Sequence, residues 1–118
     1  SSMSDYVIYH NPNCSKSRAT LALLVENKVA PEIIEYLDNP PSTTALEKIL
    51  ALLNLQPIEL MRTNEETFTA LHLGDPGTTN EQLINAMNAH PILIERPIVV
   101  RGTKAIIGRP PEQVLSLI

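Results

Sequence analysis

The chain has 118 residues, 43% hydrophobic and 19% charged, with a net charge of −4, which is the balance of one soluble globular domain with a conventional core. The acidic balance speaks against binding nucleic acid through a general basic surface. The single cysteine, Cys14, excludes an internal disulfide and fits a reducing, cytoplasmic setting.

Ser1-Ser2 ahead of Met3 reads as an expression-tag remnant, leaving residues 3–118 as the single domain. Asp5 to Tyr9 is a predicted strand, ended by Asn11-Pro12. Lys16 to Asn27 is a helix whose apolar content, Leu21 to Val25, suggests burial on more than one side. Glu32 to Leu37 follows as a second strand, so the first two strands should be parallel with a right-handed crossover. After Asn39-Pro40-Pro41-Ser42, a capping box at Thr44-Ala45-Leu46-Glu47 opens a helix with the stripe Leu46, Ile49, Leu50 and Leu53. Ile58 to Arg62 and Glu66 to Leu71 read as short helices. A second capping box, Thr79 to Gln82, opens a helix that ends by His90-Pro91.

Pro97 to Arg101 and Lys104 to Ile107 flank Gly102-Thr103 as an antiparallel hairpin. Gly108-Arg109-Pro110-Pro111 opens a last helix, expected to face Val114, Leu115 and Ile118 inward. The order β-α-β, several helices, then β-β-α gives the fold class. It is an α/β, thioredoxin-like arrangement: a mixed four-stranded sheet with a helical insertion between the βαβ and ββα halves. No apolar run reaches membrane-spanning length and no signal peptide is apparent, so no membrane partner is expected.

The chemistry concentrates at Cys14, on the turn between the first strand and the first helix. Unpaired backbone N–H groups and the dipole at a helix N-terminus favour negative charge and lower a thiol pKa. Such a thiol is a nucleophile suited to an anionic electrophile. Among the five arginines, Arg62, Arg96 and Arg109 sit where the chain turns. In a thioredoxin-like fold the Arg96-Pro97 turn lies beside the start of the first helix, and its peptide bond is a candidate for the cis isomer. Guanidinium groups around a thiolate would bind a tetrahedral oxyanion through paired donors and lower the thiol pKa further. His10 either hydrogen-bonds within the loop, adds partial positive charge near the thiolate, or is a plain loop histidine. Ser15 and Ser17 could donate to a thiolate or oxyanion, or merely cap the helix. His72 and His90 have no partner at metal-ligand spacing, so no metal site is expected. Ser17 occupies the place where a second cysteine would complete a dithiol motif, so any oxidised or adducted Cys14 needs an external thiol for release, glutathione being the obvious one, with a glutaredoxin to clear the mixed disulfide.

The run His10-Asn11-Pro12-Asn13-Cys14-Ser15-Lys16-Ser17-Arg18, the segment from His90 through Arg96-Pro97 to Val100, Leu60-Met61-Arg62 and Gly108-Arg109-Pro110 together resemble the glutaredoxin-coupled arsenate reductases. The likeness spans Tyr6 to Ile118, and the Cys-Ser-Lys-Ser-Arg run is closer to the short, chromosomally encoded branch. The resemblance implies that Cys14 is the nucleophile, with His10 near it, and that Arg62, Arg96 and Arg109 bind the oxyanion. Asn11, Ser15, Ser17 and Arg18 are expected in supporting roles. It also implies arsenate as substrate, glutathione as co-substrate, glutaredoxin as partner and no tightly bound cofactor. Two alternatives share the fold: a regulator of the Spx type, which binds RNA polymerase without catalysis, and a monothiol glutaredoxin-like oxidoreductase without arsenate activity.

Overall fold

Strand β1, Tyr6–His10, is the centre of a computed structural model that describes residues 5–118. The expected tag remnant, Ser1-Ser2, lies outside the described residues. The described chain forms two compact units, one from the segment up to Asn39 together with Arg96–Ile118, the other from Pro40–Glu95.

In the first unit, β1 is followed by α1 (Ser15–Glu26) and β2 (Glu32–Glu35), then by β3 (Ile98–Arg101), β4 (Lys104–Ile107) and a 3₁₀ helix over Pro111–Leu117. The sheet order is β2-β1-β3-β4, with β2 parallel to β1 and the other two pairings antiparallel. This is the expected mixed thioredoxin-like sheet. Gly102 turns the hairpin with φ 58°; positive φ at the first turn position alone matches a type II′ turn. β2 stops at Glu35 instead of Leu37, because the Glu35 carbonyl accepts from both Asp38 N and Asn39 N and closes a turn there.

The core of this unit joins Tyr6, Ile8, Leu24, Val99, Val114 and Leu117. Strand alternation puts Tyr6, Ile8 and His10 on the buried face, so His10 is the last residue of β1 and not a loop residue. Two sequence expectations fail on periodicity. α1 buries one face only, Ser17, Thr20 and Leu24, while Val25 is 61% exposed. The last helix is 3₁₀, and three residues per turn place Val114 and Leu117 inward while Leu115 and Ile118 are exposed. Arg101 closes the far end of the unit: its guanidinium lies 4.9 Å from the Tyr6 ring centroid and donates to the Leu117 carbonyl, as the Tyr6 hydroxyl does at 3.2 Å.

The second unit holds α2 (Thr43–Leu53), α3 (Glu66–Ala70) and α4 (Asn80–Ala89), with 3₁₀ turns at Pro57–Leu60 and Pro91–Leu93. α2 is capped by Ser42, whose side chain accepts from Ala45 N at 3.0 Å, so the cap falls before Thr44. The preceding prolines explain this: Pro40-Pro41 hold the chain extended up to Ser42, leaving its hydroxyl the first oxygen available to the orphan amides. The capping box at Thr79 and Gln82 forms as expected. α2 packs on α4, and Met61 pairs with Ile94 through Arg62 N to Leu93 O and Glu95 N to Leu60 O, each 2.8 Å.

Candidate functional site at the start of α1

Cys14 is the N-cap of α1, with extended backbone (φ −103°, ψ 122°). Its N–H donates to Asn11 O at 3.0 Å and its carbonyl accepts from Arg18 N at 2.9 Å, so one residue closes the loop and starts the helix. The loop is braced from both sides. Asn11 Oδ1 accepts from Asn13 N at 2.9 Å, an Asx turn. Arg18 Nη1 donates to Pro12 O at 2.9 Å. Asn11 and Arg18 thus shape the loop that presents the cysteine.

Beneath the loop, Ser17 is fully buried and its Oγ accepts from Asn11 N at 3.0 Å. The same oxygen lies 2.6 Å from His10 Nδ1. A hydroxyl offers one proton and two acceptor lone pairs, so Ser17 Oγ can hold the Asn11 amide and bond His10 Nδ1 in either ring tautomer. Burial lowers the His10 pKa; Glu35 raises it, and Arg18 lowers it again. His10 is therefore neutral at pH 7, which removes the expectation that it supplies positive charge to the thiolate. Ser17 is neither donor to the sulfur nor cap through its hydroxyl; its side chain ties β1 to α1.

Cys14 as a whole residue is only 8% exposed. Burial pushes its pKa up, but the Ser17 amide, the Arg96 guanidinium and the Lys16 amide pull it down, and the net shift is below the ordinary thiol value of 9.0. The two amides act at a geometry looser than a standard cap hydrogen bond. Arg109 reaches the same atom, with Nη2 3.9 Å from Sγ, while its Nε donates to Arg96 O at 2.8 Å. The peptide bonds Arg96–Pro97 and Arg109–Pro110 are both cis.

Of the expected site residues, the structure gathers His10, Asn11, Cys14, Ser17, Arg18, Arg96 and Arg109 around one turn. Ser15 opens α1 and is exposed. Arg62 belongs to the second unit, where Nη1 pairs with Glu65 Oε2 at 2.9 Å and approaches Ile92 O at 3.4 Å. Thr20 and Gly108 are additions: Thr20 continues the buried spacing of Cys14 and Ser17 along α1, a pattern visible in the sequence had hydroxyl residues been counted as inward-facing. Among the described residues, no group of three or more His, Cys, Asp or Glu could hold a metal ion.

A family model described as the ArsC family matches residues 9–117. The chain belongs to the ArsC family. It is 51% identical over 112 residues to the Escherichia coli K12 protein YfgD, covering 94% of each chain. It is 44% identical over 113 residues to an arsenate reductase of Haemophilus influenzae, covering 95% of this chain and 97% of that one. A solved arsenate reductase from Vibrio cholerae superposes with a TM-score of 0.92 at 49% identity, covering 96% and 97% of the two chains. No helix among the described residues is long and apolar enough to cross a membrane.

Proposed function

We propose that this ArsC-family chain reduces arsenate to arsenite with Cys14 as nucleophile. The observation that carries the reading is a thiol of lowered pKa at the start of a helix, with the Arg109 guanidinium 3.9 Å from its sulfur. A cation there stabilises the thiolate before substrate arrives and meets an oxyanion as it approaches. The arsenate reductases among its relatives support the choice of substrate, and no observation favours the regulator or monothiol alternatives.

The proposed cycle has three steps. The Cys14 thiolate attacks arsenic(V), and an As–O bond breaks with release of water after protonation. A glutathione thiolate then attacks the Cys14 sulfur; a disulfide forms, and the S–As electron pair leaves with arsenic as arsenite. Glutaredoxin takes the glutathionyl group and returns the Cys14 thiol. Glutathione is a co-substrate in this scheme, and no bound cofactor takes part. Arg96 and Arg109 hold the oxyanion, with Arg62 as the third arginine. His10, Asn11, Ser17 and Arg18 hold the loop, and Ser15, exposed at the helix start, is a candidate donor to the bound oxyanion.

Steady-state arsenite formation tests the reading. The intact protein should turn over arsenate only with both glutathione and glutaredoxin, and Cys14→Ser should be inactive. Absence of arsenite under conditions where a known arsenate reductase works would overturn it.

A further inference from the structure

Gly108 stands at the end of β4 with no side chain at a point where there is no room for one. A Cβ there would lie 2.4 Å from Thr20 Oγ1, 2.8 Å from Pro97 Cγ and 3.2 Å from Thr20 Cγ2. All are shorter than the contact distance of non-bonded heavy atoms. Neither wall can easily retreat. Thr20 is fully buried, β-branched, and its hydroxyl donates to Lys16 O at 2.8 Å. Pro97 is a closed ring, itself buried. The backbone of Gly108 is outside the left-handed region, so the demand for glycine is steric and not conformational.

What this joint carries is the next residue. Gly108 N donates to Pro97 O at 2.9 Å and Arg109 N to Ile107 O at 2.8 Å, fixing the Arg109 backbone against the turn that holds Arg96. From there the side chain bonds Arg96 O and reaches the Cys14 sulfur. We propose that Gly108, packed on Thr20 and Pro97, is a positioning residue that sets the reach of Arg109 to Cys14. The inference rests on the proposed role of Arg109 as an oxyanion ligand.

Gly108→Ala must move the backbone to relieve these contacts, by about 1 Å for the tightest one. Displacement of that size at a catalytic group costs about 100-fold. The experiment is protection of Cys14 from iodoacetamide by arsenate, beside thermal melting. Gly108→Ala is expected to raise the half-protecting arsenate concentration by about 10-fold or more, up to the loss in Arg109→Ala, and Gly108→Ala/Arg109→Ala should be no worse than Arg109→Ala alone. Thr20→Ala added to Gly108→Ala removes the nearer wall and should recover part of the loss, the Pro97 contact at 2.8 Å remaining. A folded Gly108→Ala protein protected like the intact one, a loss that adds to that of Arg109→Ala, or no recovery from Thr20→Ala would each overturn the proposal. Should Gly108→Ala not melt cooperatively, Thr20→Ile takes its place, putting a methylene at the hydroxyl position and a further methyl beyond it to crowd Gly108 from the other wall; unchanged protection then overturns it. Failure of arsenate to protect the intact protein would count instead against the substrate reading. The joint would then be read from the pH profile of alkylation, which Gly108→Ala should shift upward and leave unshifted in the Arg109→Ala background.

Discussion

Ser17 Oγ sits 2.6 Å from His10 Nδ1 and also accepts the Asn11 amide, so one buried hydroxyl joins the end of β1, the cysteine loop and the first turn of α1. The Ser17 amide is in turn the leading influence lowering the Cys14 pKa. The side chain holds the helix end in place, and the main chain acts on the sulfur.

Ser17→Ala should therefore weaken the site without touching substrate. It strands a half-buried amide and a buried ring nitrogen, which costs about 1–3 kcal/mol of stability. Urea denaturation measures that loss, and the alkylation profile of Cys14 should move to higher pH. An unchanged profile would show that the helix end does not depend on this hydroxyl.

The His10 shift has a definite sign for stability. Its folded pKa lies below the ordinary histidine value of 6.5 because burial disfavours the imidazolium. The unfolded chain then binds the proton first, so the contribution is full above pH 6.5 and is lost as pH falls toward the folded value. Stability measured by denaturation across that range should fall on acidification, and His10→Asn should flatten the part of the decline that His10 causes.

Cys14 runs in its own window. Its folded pKa is lowered from 9.0, so ionisation adds stability above pH 9.0 that is lost as pH falls through the folded value. Iodoacetamide should react with the folded protein at pH values where a free thiol is mostly protonated. An alkylation midpoint at or above 9.0 would contradict the lowered value.

Arg109 uses two different nitrogens, Nε on Arg96 O and Nη2 toward Cys14 Sγ. Lysine cannot span both partners. Arg109→Lys should therefore resemble Arg109→Ala, each weakening arsenate protection of Cys14 by about 1.5–3 kcal/mol, the range for hydrogen bonds to charged groups. Near-normal protection by Arg109→Lys would mean that charge alone is sufficient.

The last helix offers a test of period. Leu117 is 4% exposed and Leu115 45%. Leu117→Ala should cost about 2–5 kcal/mol and Leu115→Ala less than about 1 kcal/mol in urea denaturation. Equal costs would restore the α-helical reading.

Much of the site was legible in the residues. A strand, a lone cysteine and a helix in succession place a thiol at a helix N-terminus whatever the rest of the chain does, because orphan amides are a property of every helix end. His10 was harder. Extending the alternation of Tyr6 and Ile8 by one step buries it, but Asn11-Pro12 made the strand look finished at Tyr9. Thr20 and Gly108 escaped because hydroxyls and glycines carry no apolar signal, and their importance lies in distances between segments far apart in sequence.

Local sequence thus determined the strands, most of the helices, the parallel–antiparallel plan of the sheet and which sulfur stands at a helix N-terminus, since all of these follow from side-chain period and backbone chemistry within a few residues. Tertiary structure decided what the sulfur faces. Arg109 is 95 residues from Cys14 along the chain, yet 3.9 Å from its sulfur. That approach depends on a glycine small enough to let β4 close on α1, a constraint of volume that no short window of sequence contains.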